Sequence, residues 1–187
     1  MLIQFHESSS SNGQSREVFD LMLLELIRSL RVIMNTITGS AQVLESASLI
    51  DLLARSLSAS SFKSRSQAVE ILAGICLLSA DEGHLLVIRA LSQIRHPDPT
   101  RRFQGLMESF GTHFGESSEG EQEVIDREDL SVVWEYRTGA MGLCNAIVNC
   151  VTELEERMEW REALKGDGLA EVILVSSSSP CWILDSR

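Results

Sequence analysis

Aromatic residues make up only 5% of this 187-residue chain, and there are four cysteines, three prolines and one tyrosine. A core so poor in rings has to be packed with Leu, Ile, Val and Ala, which suits a helical protein. None of Cys76, Cys144, Cys150 and Cys181 forms a Cys-x-x-Cys pair. Three of them lie in apolar helical runs, where buried reduced thiols of an intracellular protein are expected. No apolar run approaches the ~18 residues of a membrane span. The first residues lack the basic start and long apolar core of a secretory signal. Basic residues are also scarce: 16 Lys and Arg against 27 Asp and Glu give a net charge of −11. Nucleic-acid binding, which needs a basic stripe, is therefore not expected.

Catalytic patterns are missing too. The histidines His6, His84, His96 and His113 are scattered without His-x-x-x-His spacing, so neither a metal nor a cofactor is expected. No Gly-x-Ser-x-Gly, phosphate loop or dinucleotide fingerprint occurs. Asp167-Gly168 reads as a turn. The acids Glu153, Glu155, Glu156, Glu159 and Glu162 read as a solvated helix face and not as paired catalytic carboxylates. An enzyme is not expected.

What is present is a helical periodicity. In residues 137–151 the apolar positions Met141, Leu143, Cys144, Ile147, Val148 and Val151 recur at helix spacing. Gly139 and Gly142 interrupt them, each at a cost of roughly 1 kcal/mol relative to alanine. Close approach of a neighbouring helix is the expected compensation. Two earlier stretches overlay this one: Val69, Leu72, Ile75 and Cys76, and then Ile27, Leu30, Ile33 and Met34. From Leu30 to Leu72 is 42 residues, inside the ~40–47-residue period of armadillo and HEAT repeats. From Leu72 to Leu143 is 71; an inserted acidic loop over residues 111–129 accounts for the excess. The fold class is therefore all-α, an armadillo-like α-solenoid of about three to four helical repeats. Leu30, Leu72, Ile75, Leu143 and Ile147 are its expected core.

Residues 1–16 read as a disordered lead-in around the polar stretch 8–14, residues 17–175 as the array and residues 176–187 as an irregular tail. The first long helix is expected from Arg16 or Glu17. A short helix follows from about Ser40 to Glu45. Ser48 is expected to cap the next, over residues 49–57, and a polar turn precedes a helix over 64–78. Ser79 with Glu82 resembles a capping box, and Thr100 and Thr152 stand as further caps. Phe103, Leu106, Met107 and Phe110 should face inward. The apolar Cys181-Trp-Ile-Leu184 has no helical continuation and is expected of an end cut short.

Three segments in order carry a family resemblance: IRSLRVIMNTITG at residues 27–39, AVEILAGICLL at 68–78 and RTGAMGLCNAI at 137–147. RFQGLMESF at 102–110 and WREALKGDGL at 160–169 add to them. Together they resemble the formin homology 3 region, or diaphanous-inhibitory domain, of diaphanous-related formins. The resemblance implies a non-enzymatic regulatory module, cytoplasmic and cytoskeleton-associated. It would hold a formin's C-terminal autoregulatory segment in a groove and be released by a Rho-family GTPase, touching actin only indirectly. Carried over, Asn35 corresponds to a GTPase contact, with Arg31 and Thr36 beside it. Arg137, Met141, Cys144 and Asn145 correspond to the groove helix; Val148 extends their stripe at helical spacing, and the repeat offset sets Glu70, Ala73 and Leu77 next to it.

Thr36 stands where the family carries a further asparagine. With only a polar lead-in ahead of the array, the GTPase-binding subdomain is expected to be largely missing and the GTPase contact weakened. The acids of residues 152–162 are expected to draw the autoregulatory segment's basic tail. The alternative is a generic armadillo or HEAT adaptor with an unrelated peptide partner.

Overall fold

The computed structural model describes residues 4–94, 101–111 and 127–178, and among these every regular element is helical. In order they are α1 (Gln4–Met34), α2 (Ile37–Glu45), α3 (Ala47–Arg55) and a short 3-10 turn (Ser56–Ser58). Then come α4 (Phe62–Leu78), α5 (Glu82–Ser92), α6 (Gln104–Gly111), α7 (Arg127–Asn149), α8 (Leu154–Gly166) and α9 (Leu169–Ser178). The chain is all-α, an armadillo-like stack.

Helix α4 is the centre. It packs most extensively on α7, and also on α1, α3 and α5, while α8 and α9 extend the stack beyond α7. Its composition explains that place. Ala68, Val69, Ile71, Leu72, Ile75 and Cys76 are all buried, so apolar residues surround most of the axis, as in a helix enclosed by neighbours. Ser61 starts it by accepting the Ser64 N–H at 3.4 Å. On α7 the row Tyr136, Ala140, Leu143 and Ile147 is fully buried at i, i+4, i+7 and i+11 and faces the same seam.

The two glycines of α7 differ. A Cβ on Gly139 would lie 2.8 Å from Val69 Cγ2, whereas one on Gly142 would meet nothing within 4 Å. Close approach therefore accounts for Gly139 and not for Gly142. Gly39 is tighter still: a Cβ there would lie 2.0 Å from the Ile33 carbonyl oxygen. Only glycine lets α2 fold back so closely on the end of α1.

One buried polar cluster joins α4, α6 and α7. The Arg65 guanidinium donates from Nε to the Ala59 carbonyl at 2.5 Å and from Nη1 to the Ser109 carbonyl at 3.4 Å. It lies 4.7 Å from the Phe62 ring centroid. Tyr136, hydrogen-bonded to Ser109, packs against the rings of Phe62 at 5.7 Å and Phe110 at 6.2 Å. Desolvation pushes the Arg65 pKa down, against an opposing pull from Tyr136; desolvation pushes the Tyr136 phenol up.

Several expectations change in detail. The lead-in is not irregular: α1 begins at Gln4. Serines and a glycine weaken a helix by at most ~1 kcal/mol each, and without a proline they do not stop its propagation from a packed segment. Leu30 is only half-buried and Ile33 is exposed, with Leu24 and Ile27 taking the core positions. Helix α1 packs along α4 on one side, so it buries a narrower face than the interior helices. Leu72, Ile75, Leu143 and Ile147 are buried as expected, and so are Phe103, Leu106, Met107 and Phe110.

Ser48 caps nothing. Ser46 alone joins α2 to α3, so no loop is left for another cap. Ser79 ends α4 instead of starting α5, whose N-terminal position is Asp81. Thr152 lies in an extended corner and α8 starts at Leu154. There the Arg157 Nε–H donates to the Val151 carbonyl at 3.0 Å. The acidic insert is shorter than residues 111–129, because Gly111 ends α6 and Arg127 opens α7. The tail starts later than 176, since α9 runs to Ser178. Thr100 and Cys181-Trp-Ile-Leu184 lie outside the described residues.

Candidate functional site

Two surfaces stand out on this stack. The first is an apolar groove of about 500 Å³ between α1 and α3. Phe19, Met22, Leu23, Leu26, Leu30 and Ile33 supply one wall at helical spacing, and Leu49, Leu52 and Leu53 supply the other. Leu53 belongs to the core, but much of the lining is open to solvent: Phe19 is 64% exposed, Leu26 65% and Leu52 64%. So many large apolar side chains in one exposed patch mark an interaction surface in a folded protein. The sequence signal was present, since the α1 stripe continues N-terminally past the overlaid repeat residues. It is wider than α4 alone can cover.

At the end of this groove the chain turns from α1 into α2. Thr36 is the N-cap of α2: its Oγ1 accepts the Gly39 N–H at 3.0 Å and donates to the Ile33 carbonyl at 2.9 Å. An asparagine would serve the same cap, so threonine here keeps the corner's architecture. Asn35 beside it is exposed. Arg31 reaches across to α4, donating from Nη1 to Gln67 Oε1 at 2.9 Å and pairing with Glu70 Oε2 at 2.7 Å. The structure thus brings Arg31 and Glu70 together, although the sequence had assigned them to separate roles. Both are well exposed, so the pair contributes little to stability.

The second surface is a pocket of about 200 Å³ where α7, α8 and α9 meet, lined by Met141, Cys144, Asn145, Val148, Asn149, Arg161, Leu164 and Leu169. Four of the five α7 positions assigned to the groove converge here. The fifth, Arg137, does not. It is buried, donates from Nη2 to the Phe110 carbonyl at 3.3 Å and lies 5.5 Å from the Trp134 ring centroid. Burial pushes its pKa down, and its role is structural. Glu70, Ala73 and Leu77 of α4 are not in the lining either; Leu77 is 70% exposed beyond it. Burial pushes the Cys144 thiol up to about 12, so it enters the pocket as a neutral, weakly reactive group.

The residues missed by sequence reasoning are Arg161, Asn149, Leu164 and Leu169. Leu164 sits one turn from Trp160, and Gly168 at φ +110° turns the chain so that Leu169 returns to the same pocket. Only the Gly-Asp-Gly break hinted at this return. Asp167 is indeed a turn residue: it is buried, and its Oδ2 accepts the Phe103 N–H at 2.7 Å, tying the start of α6 to the α8–α9 corner. His84 is buried as well, 2.9 Å from the Ile147 carbonyl through Nε2 and edge-on to Trp160. It is a packing residue between α5, α7 and α8.

Comparison with known proteins bears on the first surface. Residues 1–77 match the family model of the Diaphanous GTPase-binding domain. Formin-F of Dictyostelium discoideum is 29% identical over 171 residues, which cover 90% of this chain and 12% of Formin-F. These findings bear out the resemblance to diaphanous-related formins. The matched span includes α2, α3 and nearly all of α4 together with α1, so the likeness to the GTPase-binding family lies within the first helices of the stack.

Proposed function

We propose that this formin-like chain is a regulatory binding module with two docking surfaces, one for a Rho-family GTPase and one for a formin C-terminal autoregulatory helix. The observation that carries the proposal is a coincidence of place. The apolar groove is built from residues between Phe19 and Ser56, entirely inside the span that matches the GTPase-binding family. The GTPase lies across this groove and reaches the polar corner of Arg31, Asn35 and Thr36. The autoregulatory helix sets an apolar side chain into the α7–α8–α9 pocket, with Met141, Cys144, Val148, Leu164 and Leu169 as its apolar lining. Amphipathic helices dock in this way, through anchors at i, i+3 or i+4 and i+7.

Both surfaces border helices that pack on α4. Occupation of one therefore biases the other, and the bias is reciprocal by linkage. In a full-length formin this control bears on actin filament assembly at the cytoskeleton, with actin touched only indirectly.

The test is Leu26→Asp, which sets a carboxylate in the exposed groove. It is expected to weaken GTPase binding at least tenfold, to leave peptide binding unchanged and to leave the fold intact. Unchanged GTPase affinity would overturn the assignment of this groove.

A further inference from the structure

The outer side of α1 carries a second pattern besides the one that packs on α4. Phe19, Met22, Leu26, Ser29 and Ile33 follow one another at steps of 3, 4, 3 and 4 residues and all line the groove. Those steps average 3.5 residues, the repeat of a helix seam that meets another helix. Every residue of this line is exposed, Met22 to 60% and Ile33 to 49%, while Leu24 and Ile27 on the other side of α1 are buried. Two heptads are too few for a free-standing coiled coil. Here α3 widens the face, because Leu49 and Leu52 stand beside the line as the opposite wall of the groove.

We infer that a second copy of this chain covers the face, with the two α1 helices antiparallel. Three observations select that occupant. The line is self-complementary: in antiparallel register Met22 meets Leu26 of the second copy and Leu26 meets its Met22. One twofold operation therefore closes the contact into a dimer that extends no further. The charges agree with this. From Glu17 to Arg31 the acids Glu17, Asp20 and Glu25 come first, and Arg28 and Arg31 come second. Antiparallel helices set the acidic half beside the basic half and oppose their dipoles, whereas parallel helices stack like on like. The area is also sufficient. Val18, Phe19, Met22, Leu26, Ile33 and Leu52 are each about half to two-thirds open. At on the order of 100 Å² apiece they supply about 600 Å² of apolar surface per copy, the size at which stable interfaces begin even before polar rim atoms are counted.

This inference goes beyond the GTPase reading and does not depend on it, but the two share a surface. A GTPase that reaches the groove has to part the two copies, so the dimer and the GTPase complex exclude one another. Without the GTPase, pairing keeps the apolar line out of water.

The test is sedimentation equilibrium of the full chain over a wide range of concentration, followed by cross-linking. A reversible monomer–dimer equilibrium is expected. Met22→Asp should weaken it by about tenfold or more, because each copy would bury a carboxylate in the contact. Its circular dichroism should not change, since Met22 is largely exposed. Leu77→Asp sets the same charge on an exposed leucine of α4 outside the groove and should leave the equilibrium as it is. Orientation is read from cysteine variants treated with a short bismaleimide, with the unmutated chain as background. In the antiparallel register Met22 lies about 6 Å along the helix axis from Met22 of the second copy, and Ile33 about 27 Å from its counterpart. Met22→Cys should therefore cross-link into a dimer and Ile33→Cys should not. A monomer at every concentration, or a dimer that Met22→Asp leaves equally tight, would overturn the inference and leave the GTPase reading standing. Equal cross-linking of the two cysteine variants would overturn it as well.

Discussion

Gly139 and Gly142 lie three residues apart on one helix, yet alanine is expected to stabilise at Gly142 and not at Gly139. In a helix interior Gly→Ala stabilises by about 1 kcal/mol, chiefly by removing backbone freedom from the unfolded chain. At Gly142 nothing opposes this gain, because a Cβ there meets no atom within 4 Å. At Gly139 the new methyl would sit 2.8 Å from Val69 Cγ2. Val69 is fully buried and β-branched, so it cannot turn aside without leaving its rotamer. Either that rotamer or the α4–α7 spacing must give, at about 1–3 kcal/mol for an overpacked site. Gly139→Ala should therefore be neutral to destabilising by about 2 kcal/mol, and Gly142→Ala stabilising by up to about 1 kcal/mol. Urea unfolding followed by circular dichroism at 222 nm measures both, with the slope checked for constancy. Equal stability of the two variants, or Gly139→Ala the more stable, would refute the close α4–α7 approach on which the fold rests.

Leu72→Ala removes a fully buried side chain from the most enclosed helix. It should cost about 2–5 kcal/mol and lower Tm by about 5–15 °C in calorimetry. Met141→Asp is expected to weaken binding of a formin autoregulatory peptide at least tenfold, or ~1.4 kcal/mol, by isothermal titration. Its Tm should move by less than about 3 °C, because Met141 is half-buried in a pocket wall.

What the sequence made legible was the interior of the stack. Leu72, Ile75, Leu143 and Ile147 recur at helical spacing, and such a row can be satisfied only by neighbours on that face. The same overlay misplaced Leu30 and Ile33, because a repeat alignment treats every copy as interior. Helix α1 is flanked on fewer sides, and its surplus apolar residues line an open groove. Serine caps were over-read for a similar reason. Ser48, Ser79 and Thr152 have the right chemistry, but cap position depends on where the preceding helix releases the chain, and that is set by packing. Arg137 and Arg161 show the limit most clearly. Both look like polar edges of helices; one is folded into the core against Phe110 and Trp134, the other faces a pocket. Only the crossing of α7 with α6 and α8 distinguishes them.

The central claim, that residues 1–77 form a GTPase-binding surface, is tested most directly by titrating this chain with a purified Rho-family GTPase in two nucleotide states. The switch loops of such GTPases are ordered by the γ-phosphate and its Mg²⁺, so a regulatory surface should distinguish the two. Saturable binding at one site is predicted for the form loaded with a non-hydrolysable GTP analogue. Affinity for the GDP form should be at least tenfold weaker. No binding across the Rho family in either state, or equal binding in both, would contradict the account.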